Sequence, residues 1–280
     1  MTKSPLVSAD WLKANIDAPD VRVLDATWVP PFLKGRPNGR TVYQAGHIPG
    51  AGYFDIDEIA APDTALKHML PSPATFAAKV GALGVSNDAH IIVYDNNGFF
   101  ASARAWWMFR AMGHDQISVL DGGFNAWISA GAEQSTDTAM PAPGTFNARL
   151  RDDLVRNQMT MRDHVDAQDA KVLDARDYGR FGGTSPEPRP DLPSGHMPGS
   201  FCIPASGLVE ADKALKSVEE LKPMFDQYLQ DPIVTSCGSG VSAAVIALAL
   251  ARLGKWDAAL YDGSWSEWAA NADNPIAVAS

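Results

Sequence analysis

The sequence predicts an α/β protein of two tandem units, each a mainly parallel sheet with helices on both faces. Two observations support this prediction. Short apolar runs alternate along the chain with longer segments of helical pattern, as in parallel α/β folds. The second half of the chain also repeats motifs of the first half in the same order. We therefore expect two copies of one fold.

The repeat is carried by short motifs at constant offsets. Val23–Ala26 recurs as Val172–Ala175, and Gly46–Gly50 recurs as Gly195–Gly199, both with an offset of 149 residues. Later motifs, such as the Asp-Gly pairs at positions 121 and 262, lie 141 residues apart. The proline-rich run Met140–Gly144 resembles a linker. We predict a first domain of residues 1–140 and a second of residues 141–280.

Each copy is expected to contain three main strands and the helices between them. The predicted strands are Val21–Ala26, His90–Asp95, Ile117–Leu120, Lys171–Ala175, Pro232–Ser236 and Ala258–Tyr261. The predicted helices are Pro73–Leu83, Ala101–Met112, Val218–Leu229 and Ser242–Leu253. The last helix is apolar almost all round, which predicts burial, and Gly254 is a suitable residue to end it.

Composition limits the classes of function. The chain has 280 residues and a formal net charge of −10, which disfavours nucleic acid and anionic lipid as partners. No uncharged apolar run is long enough for a membrane span, and the first residues lack a signal-peptide core. With only two cysteines, Cys202 and Cys237, we predict no metal site, disulfide framework or cofactor. We expect a cytoplasmic, reduced protein.

Cys237 is the strongest candidate for chemistry. It follows an apolar strand and precedes a glycine-rich turn and an apolar helix. Such a turn directs backbone N–H groups toward an anion, and the helix adds the positive end of its dipole. These surroundings favour the reactive thiolate. We expect the amides of residues 238 to 242 to face the sulfur: Gly238, Ser239, Gly240, Val241 and Ser242.

Features present in one copy only are the better candidates for chemistry. His47 and His196 occur in both copies and are interpreted as turn anchors. Counting without gaps places Asn96 opposite Cys237, so the first copy is expected to lack a nucleophile. Cys202 lies in an apolar run and is interpreted as a small core residue. Arg104 and Arg110 alternate with aromatic residues at helical spacing, which favours a core helix over a nucleic-acid surface.

Taken together, these motifs resemble the 3-mercaptopyruvate sulfurtransferases, a family with two tandem rhodanese-like domains. The resemblance covers nearly the whole chain and rests on the repeat, on the run Cys237–Val241 and on four further segments. These segments are residues 54–57, 68–71, 179–189 and 262–268. Members that act on thiosulfate typically carry Cys-Arg-Lys-Gly, whereas this sequence has neutral Gly238 and Ser239 in place of the two cations.

The resemblance implies roles for five further or shared residues. Arg180 and Arg189 match the substrate-binding arginines, and a planar guanidinium suits a carboxylate. Ser239, His68 and Asp57 match a serine–histidine–aspartate set that serves proton transfer. The implied donor is a keto-acid thiol, 3-mercaptopyruvate. The implied acceptors are a thiol, such as thioredoxin or a small thiol, or cyanide.

Other interpretations of the same residues stay open. The donor is alternatively thiosulfate, because the fold would be the same. A non-catalytic interaction module is the alternative from a different class, since a fold does not fix a function. A Cys-x5-Arg phosphatase is excluded because position 243 is alanine.

Overall fold

The computed structural model describes residues 4–30, 33–138, 141–189 and 191–279. It divides into two compact units. The first contains Met1–Asp63, Leu70–Arg151 and Val209–Leu215, and the second contains Thr64–Met69, Asp152–Leu208 and Lys216–Ser280. The domain boundary between residues 140 and 141 stays a prediction, and Met140 lies outside the described residues.

The first unit alternates strands and helices. Its strands are β1 (Leu6–Val7), β2 (Val21–Asp25), β3 (Gly52–Tyr53), β4 (His90–Tyr94) and β5 (Ile117–Leu120). Its helices are α1 (Ala9–Asn15), α2 (Gly39–Ala45), α3 (Ile56–Ile59), α4 (Pro73–Ala82), α5 (Ser102–Ala111) and α6 (Gly123–Ser129).

The second unit repeats this plan. Its strands are β6 (Val155–Arg156), β7 (Lys171–Asp174), β8 (Phe201–Cys202), β9 (Ile233–Ser236) and β10 (Ala259–Tyr261). Its helices are α7 (Gln158–Ala167), α8 (Tyr178–Gly182), α9 (Val218–Phe225), α10 (Ala243–Arg252) and α11 (Ser264–Trp268). Short 3₁₀ turns occur at Asp152–Leu154 and Ala205–Leu208.

Within the described residues, each unit has a five-stranded parallel sheet. The strand orders are β1-β5-β4-β2-β3 and β6-β10-β9-β7-β8, so the two sheets have the same topology. This confirms the predicted α/β class and the internal repeat. In each sheet the chain adds strands in opposite directions on the two sides of one central pair, β2 and β4 in the first unit and β7 and β9 in the second. Open α/β sheets bind ligands beyond the carboxyl ends of strands at such a pair.

Helix α10 is buried as predicted. Ala243 through Ala251 are all buried, because apolar residues cover every side of the helix. Gly254 has φ +91° and donates its N–H to the Ala251 carbonyl, while the Lys255 N–H reaches Leu250. This Schellman pattern explains the glycine directly after the helix. Because α10 is buried along its length, it gives the preceding loop, residues 237–242, a fixed base in the core.

The aromatic-basic helix α5 belongs to the core of the first unit. All ten of its residues are buried, including both arginines. The Arg104 guanidinium lies 4.5 Å from the Trp107 ring centroid, and the Arg110 guanidinium lies 4.9 Å from that of Trp106. These cation–π contacts explain why cations and aromatics alternate on a buried helix, and the core-helix interpretation is confirmed.

The histidines of the repeated turns bind backbone carbonyls. His47 Nδ1 lies 2.8 Å from the Tyr43 carbonyl oxygen, and His196 Nδ1 lies 2.8 Å from that of Phe181. Both histidines therefore fix turns, as predicted. Among the helices of the described residues, none combines the length and hydropathy that a membrane crossing requires.

Candidate active site around Cys237

Cys237 lies directly after β9, at the carboxyl end of the sheet of the second unit. It is 2% exposed, and the loop 237–242 connects β9 to α10. Gly240 in this loop has φ +75°, a conformation that favours glycine because a Cβ is strained there. The strand-turn-helix arrangement predicted from the sequence is therefore present.

The loop offers several unused hydrogen-bond donors. Within the part of the chain that the structure describes, five amides donate to no protein acceptor. They are those of Gly238, Ser239, Val241, Ser242 and Ala243. They stand at the positive end of α10. Unused amides at a helix N-terminus form a binding site for an anion.

The first unit shows what this loop geometry holds. Strand register pairs Asp25 with Tyr94, and in the second unit it pairs Asp174 with Ser236. The residues that follow, Asp95 and Cys237, are therefore equivalent. The Phe124 N–H donates to the Asp95 carbonyl as the Trp265 N–H donates to that of Cys237.

The prediction that Asn96 stands opposite Cys237 is therefore wrong by one position. The loop of the first unit runs over residues 95–101 and that of the second over residues 237–242, so the first is one residue longer. Counting without gaps could not detect this extra residue, because the flanking helices keep an offset of 141 residues.

The Asp95 side chain fills the cradle of its own loop. Its Oδ1 accepts from the amides of Asn97 and Phe99, both at 3.1 Å. Its Oδ2 accepts from the amides of Ala101 (3.0 Å) and Ser102 (2.9 Å) and from the Ser102 hydroxyl (2.9 Å). The loop of this fold thus turns its amides toward an anionic group on the first residue of the loop. In the first unit that group is the carboxylate of Asp95 itself.

Removing that carboxylate is expected to destabilise the first unit. Asp95→Ala leaves four amides without an acceptor, and each buried amide so orphaned costs about 1–3 kcal/mol. We expect urea denaturation to show a loss of about 4 kcal/mol or more. Hydrogen exchange should rise mainly in residues 95–112. Asp95→Asn keeps one carbonyl oxygen and should lose less, and a loss under about 1 kcal/mol for alanine would contradict this account.

Two guanidinium groups approach the loop at Gly238. A Cβ placed on Gly238 would lie 3.0 Å from Arg180 Nη2 and 2.9 Å from Arg189 Nη1. The absence of a side chain at position 238 therefore leaves the space that both arginines occupy. Arg180 is held in α8, whose first turn is capped by the Asp177 carboxylate.

A buried carboxylate that sequence analysis did not single out orients Arg180. Glu187 Oε2 accepts from Arg180 Nη2 at 2.7 Å, and its Oε1 accepts from Arg176 Nη1 at 2.8 Å. Arg176 also binds the buried Asp174 at 2.8 Å. Burial alone would lower the pKa of Arg176, but Asp174 and Glu187 outweigh it and the pKa is raised.

Arg189 supplies positive charge in excess of these carboxylates. Two carboxylates contact Arg176 and Arg180, whereas the structure pairs Arg189 with none of the described residues. Burial lowers the pKa of Arg189, and attraction to the Cys237 sulfur opposes that shift. An arginine stays protonated despite such a shift. The site therefore favours an anionic ligand beside Cys237.

Ser239 and His68 also meet within the second unit. Ser239 Oγ lies 3.1 Å from His68 Nδ1, and the two residues are 6% and 8% exposed. Asp57 lies in α3 of the first unit, where its Oδ2 accepts from the Trp28 indole at 2.7 Å. The structure thus brings two members of the expected trio together, and the part of Asp57 stays a prediction.

Cys202 differs from Cys237 in its surroundings. It lies in the edge strand β8, is half-buried and lines a surface cavity. The expectation that Cys202 is a core residue is therefore wrong. Burial, with the nearby Asp174 carboxylate, raises the pKa of the Cys202 thiol to about 12. Its sulfur lies 3.4 Å from the Arg176 carbonyl oxygen. Cys202 therefore stays a protonated thiol at neutral pH.

The fold and this site define a two-unit α/β protein whose second unit carries a buried cysteine in a loop of unused amides. The family model for the rhodanese-like domain matches residues 8–130 and 158–271. The chain therefore belongs to the rhodanese-like family.

Three relatives illustrate the similarity. "Thiosulfate/3-mercaptopyruvate sulfurtransferase 1, mitochondrial" of Arabidopsis thaliana is 42% identical over 299 residues, which cover 98% of this chain and 78% of that protein. A thiosulfate sulfurtransferase of Gallus gallus is 43% identical over 272 residues, covering 94% and 92%. The crystal structure of the 3-mercaptopyruvate sulfotransferase SseA from Escherichia coli superposes with a TM-score of 0.85 at 37% identity, covering 94% and 99%. The chain is a two-domain sulfurtransferase of this family.

Proposed function

We propose that the protein moves sulfane sulfur from 3-mercaptopyruvate, through a persulfide on Cys237, to a thiol or cyanide acceptor. The observation that carries this proposal is the approach of Arg180 and Arg189 to Gly238, next to the Cys237 thiol. A keto-acid thiol has a carboxylate at one end and the sulfur to be transferred at the other. The guanidinium groups suit the first and the thiolate suits the second.

The proposed chemistry is balanced without an added oxidant. The Cys237 thiolate attacks the donor sulfur, so an S–S bond forms and the donor C–S bond breaks. The electron pair of that bond passes to carbon and gives the enolate of pyruvate. The proton that the donor sulfur carried leaves the new persulfide, and the enolate gains a proton at carbon. The products are pyruvate and a Cys237 persulfide anion.

The loop amides support the persulfide anion. The carboxylate of Asp95 accepts four amide hydrogen bonds in the equivalent loop. We propose that the outer persulfide sulfur takes that place in the second unit, facing the amides of Gly238, Ser239, Gly240, Val241 and Ser242. The first unit is then a non-catalytic partner.

The proton transfer is assigned to the pair Ser239 and His68. The serine hydroxyl, 3.1 Å from the imidazole, can relay a proton to the enolate while the histidine takes up or releases it. Asp57 is proposed as the third member on the strength of the family resemblance. We assign the protein to the cytoplasm, where a reduced thiol persists and acceptors such as thioredoxin or small thiols are available.

Thiosulfate is the second candidate donor, because relatives named for both donors are similarly close. Two features favour mercaptopyruvate: the loop carries no cation of its own, and the arginines occupy the space beside Gly238.

The donor is tested by comparing kcat/KM for the two compounds with one acceptor. We expect mercaptopyruvate to be preferred by at least about tenfold. A preference for thiosulfate would overturn the donor assignment, and turnover of neither donor would overturn the proposed function.

A further inference from the structure

Helix α11 holds the reactive loop through the side chain of its first residue, Ser264. Ser264 is completely buried, and its hydroxyl accepts from the Cys237 N–H at 3.2 Å. The same hydroxyl donates to the Tyr261 carbonyl at 2.8 Å. This second bond fixes the direction of the hydroxyl, so its lone pair stays turned toward the Cys237 amide.

Ser264 has a backbone conformation that serine rarely adopts. Its φ is +49°, in the left-handed region that costs a non-glycine residue about 1–2 kcal/mol. The equivalent residue of the first unit is Gly123, with φ +57°, because Phe124 and Trp265 make the same contact. The second unit therefore carries a strained serine where glycine would fit freely. Backbone strain of this kind is concentrated at functional sites.

Ser266 holds the peptide group that joins Gly238 to Ser239. Its amide and its hydroxyl both donate to the Gly238 carbonyl, at 3.0 Å and 2.6 Å. The Trp265 amide likewise donates to the Cys237 carbonyl at 3.0 Å. In a trans peptide the N–H points opposite to the carbonyl. The amides of Gly238 and Ser239 therefore point away from α11, toward the side where they have no protein acceptor.

We propose that Ser264 and Ser266 are positioning residues that fix the Cys237 N–H and the Gly238 carbonyl, so that the loop amides face the sulfur anion. The proposal rests on the proposed function of Cys237 as the sulfur carrier. It explains why two buried hydroxyls are directed at the backbone of one short loop. It also explains why the second unit keeps a serine at a glycine-like position that the first unit fills with glycine.

The variant Ser264→Gly removes the hydroxyl but keeps the backbone conformation, so it tests the two features separately. Glycine accepts φ +49° without strain, as Gly123 does, and this relief of about 1–2 kcal/mol offsets the loss of the buried hydrogen bond from the Cys237 N–H. The variant should therefore fold with an unfolding temperature close to that of the wild type. We expect the single-turnover rate of persulfide formation with mercaptopyruvate to fall by about tenfold. The amplitude and the KM should stay unchanged, because Arg180 and Arg189 still hold the carboxylate.

Ser266 provides a matched pair of variants. Ser266→Ala should slow persulfide formation by a similar factor, and Ser266→Thr, which keeps the hydroxyl, should restore most of the rate. A structural role alone would lower the amplitude and the unfolding temperature of Ser264→Gly and Ser266→Ala along with the rate. Alkylation of Cys237 by iodoacetamide at pH 7 gives a second readout that needs no donor, and it should slow in Ser264→Gly as well.

The outcomes distinguish this inference from the proposed function. A wild-type protein that gains no sulfur from mercaptopyruvate refutes the proposed function, while slower alkylation in Ser264→Gly would still support the positioning role. A wild-type protein that forms the persulfide, together with a Ser264→Gly variant of unchanged loading and alkylation rates, refutes the positioning role alone.

Discussion

Replacing Cys237 by serine is expected to reduce pyruvate release from 3-mercaptopyruvate by at least about 10³-fold, because a hydroxyl is a far weaker nucleophile than a thiolate. The side chains are almost isosteric, so the loop and the arginines should keep their places. The measurement is pyruvate formation with a thiol acceptor, followed from the first turnover. The fold should be unaffected, since the first unit holds a quite different residue, Asp95, at this position.

Cys202→Ser is the matched control, because it removes the other cysteine of the chain. Burial raises the pKa of the Cys202 thiol to about 12, so we expect wild-type pyruvate release from this variant. The assignment of Cys237 would be refuted by the reverse pattern, in which Cys202→Ser is inactive and Cys237→Ser retains its rate.

Replacing Arg180 or Arg189 by alanine is expected to raise KM for mercaptopyruvate by about 10- to 100-fold, since a hydrogen bond to a charged group contributes about 1.5–3 kcal/mol. The carboxylate is bound before and during reaction, so kcat should change much less. Arg180→Lys should recover only part of the affinity, because an ammonium lacks the two-pronged geometry. Arg180→Ala should be the less tolerated of the two, since it leaves buried Glu187 with one cation fewer.

Steady-state kinetics with mercaptopyruvate over a wide concentration range provides this test. An uncharged donor without a carboxylate, such as an alkyl persulfide in its protonated form, provides the control and should load Cys237 almost equally well in wild type and variants. An unchanged KM for mercaptopyruvate in both alanine variants would show that the carboxylate binds elsewhere.

The main strands and helices could be predicted because their sequences carry strong periodic patterns. The runs at β2, β4, β7 and β9 are short, rich in valine, isoleucine and leucine, and almost fully buried, which is typical of parallel strands. The strands β1, β3, β6 and β8 have only two residues each and carry no usable pattern. They become strands only because a neighbouring strand pairs with them, which is information outside the local sequence.

The candidate site could be predicted in part. Cys237 and its loop have a strong local pattern, and the family resemblance supplies the arginines. Glu187 could not be recognised as a site residue, because its ion pairs with Arg176 and Arg180 form only when the loop after α8 folds back onto that helix. Asp95 was missed because the extra loop residue shifts the alignment by one position. Ser264 did have a usable indication, since the same repeat aligns it with Gly123.

The central claim is that Cys237 carries the transferred sulfur as an anion held by the loop amides, while Arg180 and Arg189 bind the carboxylate of the donor. The most direct measurement is intact mass, followed by peptide mapping, after brief exposure to mercaptopyruvate without acceptor. We predict one added sulfur on the peptide that contains Cys237, pyruvate in equal amount, and loss of the added mass on reduction. Added sulfur on the Cys202 peptide, or pyruvate release with no added mass at any stage, would contradict the claim.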